Sequence, residues 1–216
     1  ISQGASQRLV TSRTLMAMPE TDIGLFPDVA GGYFLSRCPG AHGEWLALTG
    51  QPLDGAQAIA LGLADHYLDA DRLTQAWDAL VSIDPQDPQQ MAQWLGEYTV
   101  APPVVDRSDA ESIDQIFALP TLREIVDALA AHGSEWAQQT LAIVRKRSPL
   151  MQHVTLAQIR RARHLALADE LRMERDLMRH VFDPRHLQRR AAQTEAAEGI
   201  RALVIDKDRQ PQWQPS

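Results

Sequence analysis

The distribution of glycine and proline along the chain is the feature that most limits its fold. Up to about residue 68, Gly and Pro are frequent and leave room only for short apolar runs, such as the alternating segment 7–11. Runs of this kind favour short strands joined by tight turns. From about residue 83 onward, apolar residues recur at helical spacing. The sequence therefore predicts two regions, residues 1–82 with mixed α/β structure and residues 83–216 with mostly helical structure.

Capping residues indicate where several helices begin and end. Asp54 is a good N-cap, Ser108 and Glu111 have the spacing of a capping box, and Gly50 is a favourable residue just past a helix end. Together with the apolar spacing, these signals predict helices at 42–50, 55–62, 71–82, 88–98, 109–118, 121–131, 134–147 and 184–198. The Pro-containing segment 99–108 is expected to be a loop.

The longest predicted helix covers about residues 150–182. Ser148 followed by Pro149 is a favourable start, and Asp183-Pro184 ends the run. Four apolar residues of this helix fall at helical spacing and predict a stripe that faces the core, namely Leu167, Leu171, Met178 and Phe182.

The charge balance and the rare residue types narrow the classes of partner. The chain has 28 Asp and Glu against 21 Lys and Arg, a net charge of −7, and nucleic acids are bound mainly by Lys and Arg, so no nucleic-acid partner is expected. No apolar run approaches the roughly 18 residues of a membrane span. The single cysteine, Cys38, excludes an internal disulfide and favours a reducing compartment. Because the basic residues are almost all Arg and alanine is abundant, we expect a bacterial cytoplasm.

The segment 16–35 carries the strongest chemical signal. Glu20 and Asp28 each follow a proline, which stiffens the presentation of the next side chain. Gly31 and Gly32 permit a positive φ or a close approach of the backbone to a ligand. Two carboxylates in an apolar pocket are a common way to provide an acid and a base near neutral pH. The alternative is that both acids lie in an ordinary surface loop and that the glycines only form turns.

The same segment resembles a known family. Residues 17–35 read AMPETDIGLFPDVAGGYFL, residues 46–50 read LALTG, residues 58–64 read AIALGLA and residues 198–208 read EGIRALVIDKD. These motifs resemble the crotonase (enoyl-CoA hydratase/isomerase) superfamily, and within it the 3-hydroxyisobutyryl-CoA hydrolase branch. The resemblance implies an α/β fold with a crotonase-type ββα spiral core, of which residues 1–82 are the last units, followed by a helical C-terminal region at 83–216.

The resemblance also implies an activity. A hydrolase of this branch would cleave a 3-hydroxyacyl-CoA thioester, such as 3-hydroxyisobutyryl-CoA in valine degradation, with Glu20 and Asp28 as catalytic pair and Gly31 and Gly32 beside them in substrate binding. Glu20 would either activate water or attack the carbonyl, and the sequence leaves both open. Ala30 stands where the family commonly has Gly. An enoyl-CoA hydratase or isomerase, and a non-catalytic truncated subunit, are the alternatives.

The resemblance sets further expectations about partners. The family places a Gly-rich segment, which supplies oxyanion donors, before the position of Ile1. The chain is therefore expected to be the C-terminal part of a longer enzyme, with the N-terminal half of the fold missing or on another chain, and a homo-oligomer is a further expectation. CoA would be part of the substrate, so no separate cofactor is expected. The seven histidines have no paired H-x-x-x-H spacing, and no metal site is expected.

Overall fold

The computed structural model describes residues 2–214, so Ile1, Pro215 and Ser216 lie outside the described residues. The strands are β1 (Leu9–Val10), β2 (Leu15–Met16), β3 (Leu53–Asp54), β4 (His66–Leu68) and β5 (Thr99–Val100). The helices are α1 (Gly31–Leu35), α2 (His42–Thr49), α3 (Gly55–Ala60), α4 (Leu73–Leu80), α5 (Pro88–Tyr98), α6 (Ala110–Phe117), α7 (Leu122–His132), α8 (Glu135–Lys146), α9 (Pro149–Ala162), α10 (Leu167–Phe182) and α11 (Glu195–Ile200). A search of the described part of the chain finds no helix with the length and apolarity needed to cross a membrane.

The described chain divides into two compact units. The first contains the residues up to Met16 together with Pro52–Arg107, and the second contains Ala17–Gln51 together with the residues from Ser108 onward. These units group residues that contact one another in space. The predicted boundary between residues 82 and 83 is of another kind, because it marks the end of the crotonase-type core along the sequence. That boundary stays a prediction.

Short strands and the helices α3, α4 and α5 form the first unit. β4 lies between β1, with which it pairs in parallel, and β5, with which it pairs antiparallel. β2 and β3 form a separate antiparallel pair. The predicted cap of α3 is confirmed, because the Asp54 side chain accepts from the Gln57 amide at 2.8 Å and the Gln57 side chain accepts from the Asp54 amide at 2.9 Å. Trp94 and Tyr98 of α5 pack on Leu68 and Ala76.

Helices form the second unit, and α2 packs against α6, α8 and α9 around its main core. Phe117, Ile125 and Leu129 of that core are fully buried. The predicted starts of α8 and α9 are confirmed, because the Ser134 and Ser148 hydroxyls each accept a hydrogen bond from an amide of the following first turn. Gly50 ends α2 in the left-handed conformation, as expected.

Two predictions about residues 99–118 are wrong. The segment 99–108 begins with β5, because the Thr99 and Val100 backbone pairs with β4 and satisfies hydrogen bonds that a loop would leave to water. The capping box of Ser108 and Glu111 is also wrong. α6 has Asp109 at its N-cap without a side-chain cap bond, and the Glu111 carboxylate accepts from Gln115 one turn further along instead.

The predicted long helix at 150–182 is wrong as a single element. It is divided into α9 and α10 by a turn at residues 163–166. The guanidinium of Arg37 donates to the carbonyl oxygens of Ala162 at 3.3 Å and Leu165 at 2.9 Å, so side-chain donors satisfy the carbonyls at the end of α9. The predicted helix 184–198 is likewise replaced by two 3₁₀ turns, Pro184–Leu187 and Ala191–Gln193, followed by α11.

The predicted core-facing stripe of α10 is also wrong. Three of its four members are exposed, since Leu167, Leu171 and Phe182 retain 38, 44 and 53% of their accessible surface in this chain, and only Met178 packs against a core cluster. The buried face of α10 instead carries Glu170, Glu174 and Val181. Two carboxyl groups thus lie where the apolar pattern placed leucines.

Candidate active site

Glu20 is presented by a 3₁₀ turn that covers Glu20–Ile23. The turn ends at Gly24, whose φ is 71°, and the amides of Gly24 and Leu25 donate to the carbonyl oxygen of Glu20. A Cβ atom on Gly24 would lie 2.1 Å from the carbonyl oxygen of Glu195, so only glycine fits. The position of Glu20 is therefore fixed by backbone geometry immediately after it.

Asp28 lies in a tight loop that leads directly into α1. The amide of Gly31 donates to the Asp28 carbonyl at 2.8 Å. The positive φ angles of this loop belong to Val29 (53°) and Ala30 (65°), which are not glycines. A left-handed conformation is unfavourable for a residue with a Cβ, most of all for a β-branched one, so the loop is strained and must be held by its surroundings.

Gly31 and Gly32 allow other side chains to approach the backbone closely. Neither has a positive φ, but both lie in close contact with other parts of the second unit. A Cβ on Gly31 would lie 2.7 Å from Met18 Cε, and a Cβ on Gly32 would lie 2.4 Å from Glu170 Oε1. Close packing rather than backbone freedom favours glycine at these positions, and it does so most strongly at Gly32, because the flexible end of Met18 can move away from a Cβ on Gly31. Their part in substrate binding stays a prediction.

The carboxyl of Glu20 is buried, and the negative charge of Asp28 acts on it. Burial raises the pKa of Glu20 to about 7; hydrogen bonding to its own backbone acts in the lowering direction, and the negative charge of Asp28 raises the pKa further. Oε2 of Glu20 is buried and has no hydrogen-bond partner among the described residues. A carboxyl with a pKa near 7 can take up and release a proton at neutral pH, which suits a general acid or base.

Sequence reasoning missed three buried polar residues behind the Asp28 loop. Nε2 of Gln158 donates to the carbonyl oxygen of Pro27 at 2.7 Å, and the amide of Ala30 donates to Glu174 Oε2 at 3.0 Å. Glu170 lies beside both and is fully buried. Within their own helices these residues give little signal, because glutamates among arginines normally indicate a solvated helix face.

The thiol of Cys38 and the side chains that can bind metals are further candidates for chemistry. Cys38 is buried, and burial, with a smaller contribution from the charge of Glu44, raises the pKa of its thiol to about 12. A thiol in this state is a poor nucleophile, which agrees with a packing role. Within residues 2–214, no cluster of three or more His, Cys, Asp or Glu side chains is arranged to hold a metal ion.

Comparisons of the chain with a family model and with individual known sequences agree on one family. A sequence model described as enoyl-CoA hydratase/isomerase matches residues 1–216. The chain is 37% identical over 215 residues to probable 3-hydroxyisobutyryl-CoA hydrolase 3 of Arabidopsis thaliana. This match covers 96% of the chain and 55% of that protein. It is 34% identical over 216 residues to the mitochondrial 3-hydroxyisobutyryl-CoA hydrolase of Homo sapiens, covering 97% of the chain and 53% of that protein. The chain thus spans about half the length of the curated relatives it matches.

Solved structures agree with the sequence comparison. The fold superimposes on a carnitinyl-CoA dehydratase from Mycobacterium thermoresistibile with a TM-score of 0.82 and 34% identity, over 98% of this chain and 57% of that one. An enoyl-CoA hydratase from Rhodobacter sphaeroides 2.4.1 gives a TM-score of 0.72 and 31% identity over the same shares. These neighbours confirm the expected α/β fold of crotonase type. The chain belongs to the enoyl-CoA hydratase/isomerase family.

Proposed function

We propose that the protein containing this chain hydrolyses a 3-hydroxyacyl-CoA thioester, with 3-hydroxyisobutyryl-CoA as its substrate. The observation that carries the proposal is the pairing of Glu20, whose pKa is raised to about 7, with the neighbouring carboxylate of Asp28. The names of the relatives support the choice of substrate, since those proteins are 3-hydroxyisobutyryl-CoA hydrolases. Placing the reaction in valine degradation rests on those names alone.

In the proposed reaction, water adds to the thioester carbonyl and the carbon–sulfur bond breaks. Ionised Glu20 takes a proton from the attacking water and returns it to the departing thiolate of CoA. The acid that forms releases a proton to solvent, so that the products are 3-hydroxyisobutyrate and CoA. Asp28 orients the substrate hydroxyl. A route in which Glu20 itself attacks the carbonyl and forms an anhydride uses the same two residues.

The developing negative charge on the carbonyl oxygen needs backbone donors, which usually contribute the largest part of such catalysis. The relatives are nearly twice as long as this chain. We therefore propose that polypeptide beyond these 216 residues supplies those donors, either on the same chain or on a partner. Gly31 and Gly32 are proposed to line the acyl site from this side.

The test is CoA release from 3-hydroxyisobutyryl-CoA by the complete natural protein, measured by thiol titration. Glu20→Gln is expected to lower kcat by roughly 10²–10⁴-fold, because it removes the proton acceptor. Asp28→Asn is expected to lower kcat/KM. Asp78→Asn, which changes an exposed carboxylate on α4, is the matched control and is expected to leave turnover unchanged. Turnover like that of the unaltered protein in both site variants would refute the proposal.

A second candidate is the hydration or isomerisation of an enoyl-CoA. Both solved neighbours favour it, since one is a carnitinyl-CoA dehydratase and the other an enoyl-CoA hydratase. Loss of the enoyl absorbance of crotonyl-CoA without release of free thiol would select this activity over hydrolysis. Absence of both activities in the complete protein would favour a non-catalytic subunit.

A further inference from the structure

A cluster of three buried polar residues holds the loop that carries Asp28. Gln158 of α9 and Glu170 and Glu174 of α10 are 2, 0 and 6% exposed. The cluster contacts the loop on both sides of Asp28, through the hydrogen bond of Gln158 to the carbonyl of Pro27 and that of Glu174 to the amide of Ala30. Loop and cluster belong to the same compact unit.

The cluster contacts the loop at and beside the residues whose backbone is strained. The two residues with left-handed backbone, Val29 and Ala30, lie directly after Asp28. The amide of Ala30 donates the hydrogen bond that Glu174 accepts. Two positions after Ala30, Gly32 packs against Glu170 so closely that it leaves no space for a Cβ. Unfavourable backbone conformations persist only where the surroundings enforce them, and these contacts provide that enforcement.

One buried oxygen on each carboxyl of the cluster lacks a hydrogen-bond donor among the described residues. Oε2 of Glu170 and Oε1 of Glu174 are buried, and no donor faces either atom within the described part of the chain. Two ionised carboxylates side by side in this environment would repel one another and lack solvation. A proton on one of them becomes a donor to the other and removes both problems.

Two charged groups, those of Glu174 and Arg37, act on Glu170. Burial raises the pKa of Glu170 to about 8, and the hydrogen bond with Glu174 and the charge of Glu174 act in the same direction. The side-chain hydrogen bond of Gln158 on α9 and the charge of Arg37, which follows α1, oppose the shift. Glu170 is therefore protonated at neutral pH, and it loses its proton as the pH rises through about 8.

We propose that Glu170 and Glu174 share one proton and, with Gln158, act as positioning residues that hold the strained loop and thereby orient the carboxylate of Asp28. We call the contacts of these three residues with the loop the clamp. The effect on catalysis rests on the proposed function, whereas the clamp itself does not. The proton controls the clamp, because an ionised pair would repel and release the Ala30 amide.

The clamp is tested in the complete natural protein by amide hydrogen exchange and NMR at Ala30. Glu174→Ala is expected to lower the protection of the Ala30 amide at least tenfold. Glu174→Gln keeps a side-chain oxygen as acceptor and is expected to restore most of that protection. The control is Asp169→Asn, which changes an exposed carboxylate next to Glu170 and is expected to leave the Ala30 amide unchanged. Unchanged protection in Glu174→Ala would overturn the proposal.

The shared proton has its own readout. In the unaltered protein, the Ala30 amide shift is expected to change as the pH rises through about 8, and in Glu170→Gln this change is expected to disappear, since the amide cannot ionise. If Glu174→Ala does not fold, this comparison decides the question. An Ala30 shift that is independent of pH in the unaltered protein, or that titrates identically in Glu170→Gln, would overturn the shared proton.

The consequence for catalysis is measured separately. Because a displacement of about 1 Å can reduce a rate about 100-fold, Glu174→Ala is expected to lower kcat 10- to 100-fold with little change in KM, and Glu174→Gln to recover most of it. Normal kcat in Glu174→Ala, with the Ala30 protection lost, would refute the positioning role. If the complete protein lacks thioesterase activity, the proposed function fails while the exchange and shift data still decide on the clamp.

Discussion

Gly32→Ala provides a direct measurement of how tightly the Asp28 loop is packed. The added Cβ would lie 2.4 Å from Glu170 Oε1 and 2.7 Å from Gln158 Nε2. The first contact is about 1 Å shorter than a favourable separation of roughly 3.5 Å. Both neighbours are buried and hydrogen-bonded, so neither end can swing into solvent. We expect a loss of about 1–3 kcal/mol in the free energy of unfolding, the range of an overpacked interior.

Gly96→Ala is the matched control for this substitution. Gly96 also lies inside a helix, but a Cβ there meets nothing within 4 Å. Because alanine favours a helix more than glycine does, Gly96→Ala is expected to stabilise the protein by about 0.5–1 kcal/mol. The two substitutions should therefore change stability in opposite directions in chemical denaturation.

A double-mutant cycle shows whether the cost comes from the contact with Glu170. In the Glu170→Ala background, the side chain closest to the new Cβ is gone, and Gln158 gains space to move. The cost of Gly32→Ala is then expected to fall by roughly 0.5–3 kcal/mol, as for residues in contact. The reasoning is refuted if Gly32→Ala stabilises the protein as Gly96→Ala does, or if the two changes are simply additive.

Two further predictions concern buried carboxyls. The free energy of unfolding is expected to fall, by on the order of a few kcal/mol, as the pH rises from about 4.5 to about 8. Over that window the folded state keeps protons on Glu20 and Glu170, whose pKa values are raised to about 7 and about 8, while the unfolded chain has released them. Denaturation curves should show a shallower pH dependence in Glu170→Gln, and equal slopes would contradict the assignment. Ser148→Ala removes the cap of α9 and the hydroxyl that donates to buried Glu195, so we expect a loss of about 2–4 kcal/mol in thermal or chemical denaturation. Ser148→Thr, which keeps the hydroxyl, should lose less, and an equal loss in both variants would show that the hydrogen bonds are not the cause.

Helix boundaries were predictable where the signal was local. Asp54 and Ser148 cap the helices that their sequences indicate, because a cap joins a side chain to amides two or three residues away. The prediction failed for Ser108, where a suitable spacing is present but Asp109 occupies the cap position. A pattern of residue types allows a cap, and the path of the chain before the helix decides whether it forms.

The candidate site divides in the same way. The proximity of Glu20 and Asp28 was expected, because only seven residues lie between them along the chain. The effect of Asp28 on the pKa of Glu20 agrees with that expectation. After Asp28, a positive φ angle was allowed at Gly31 and Gly32 but occurs at Val29 and Ala30 instead. Contacts from α9 and α10 impose this conformation. They could not be predicted from residues 16–35, because the contacting side chains lie elsewhere in the sequence.

The sequence by itself determined the family, the helical character of the second half and the pair of carboxylates that carries the proposed chemistry. All of these depend on residue types and on short spacings along the chain. Only the tertiary structure decided which face of α10 is buried and what holds the Asp28 loop. The hydrogen bond from Ala30 to Glu174 joins residues 144 positions apart, and the burial of Glu170 depends on Gly32 and Gln158. No local pattern encodes such contacts, because a glutamate is stable in the interior only when the fold supplies its donors and its proton.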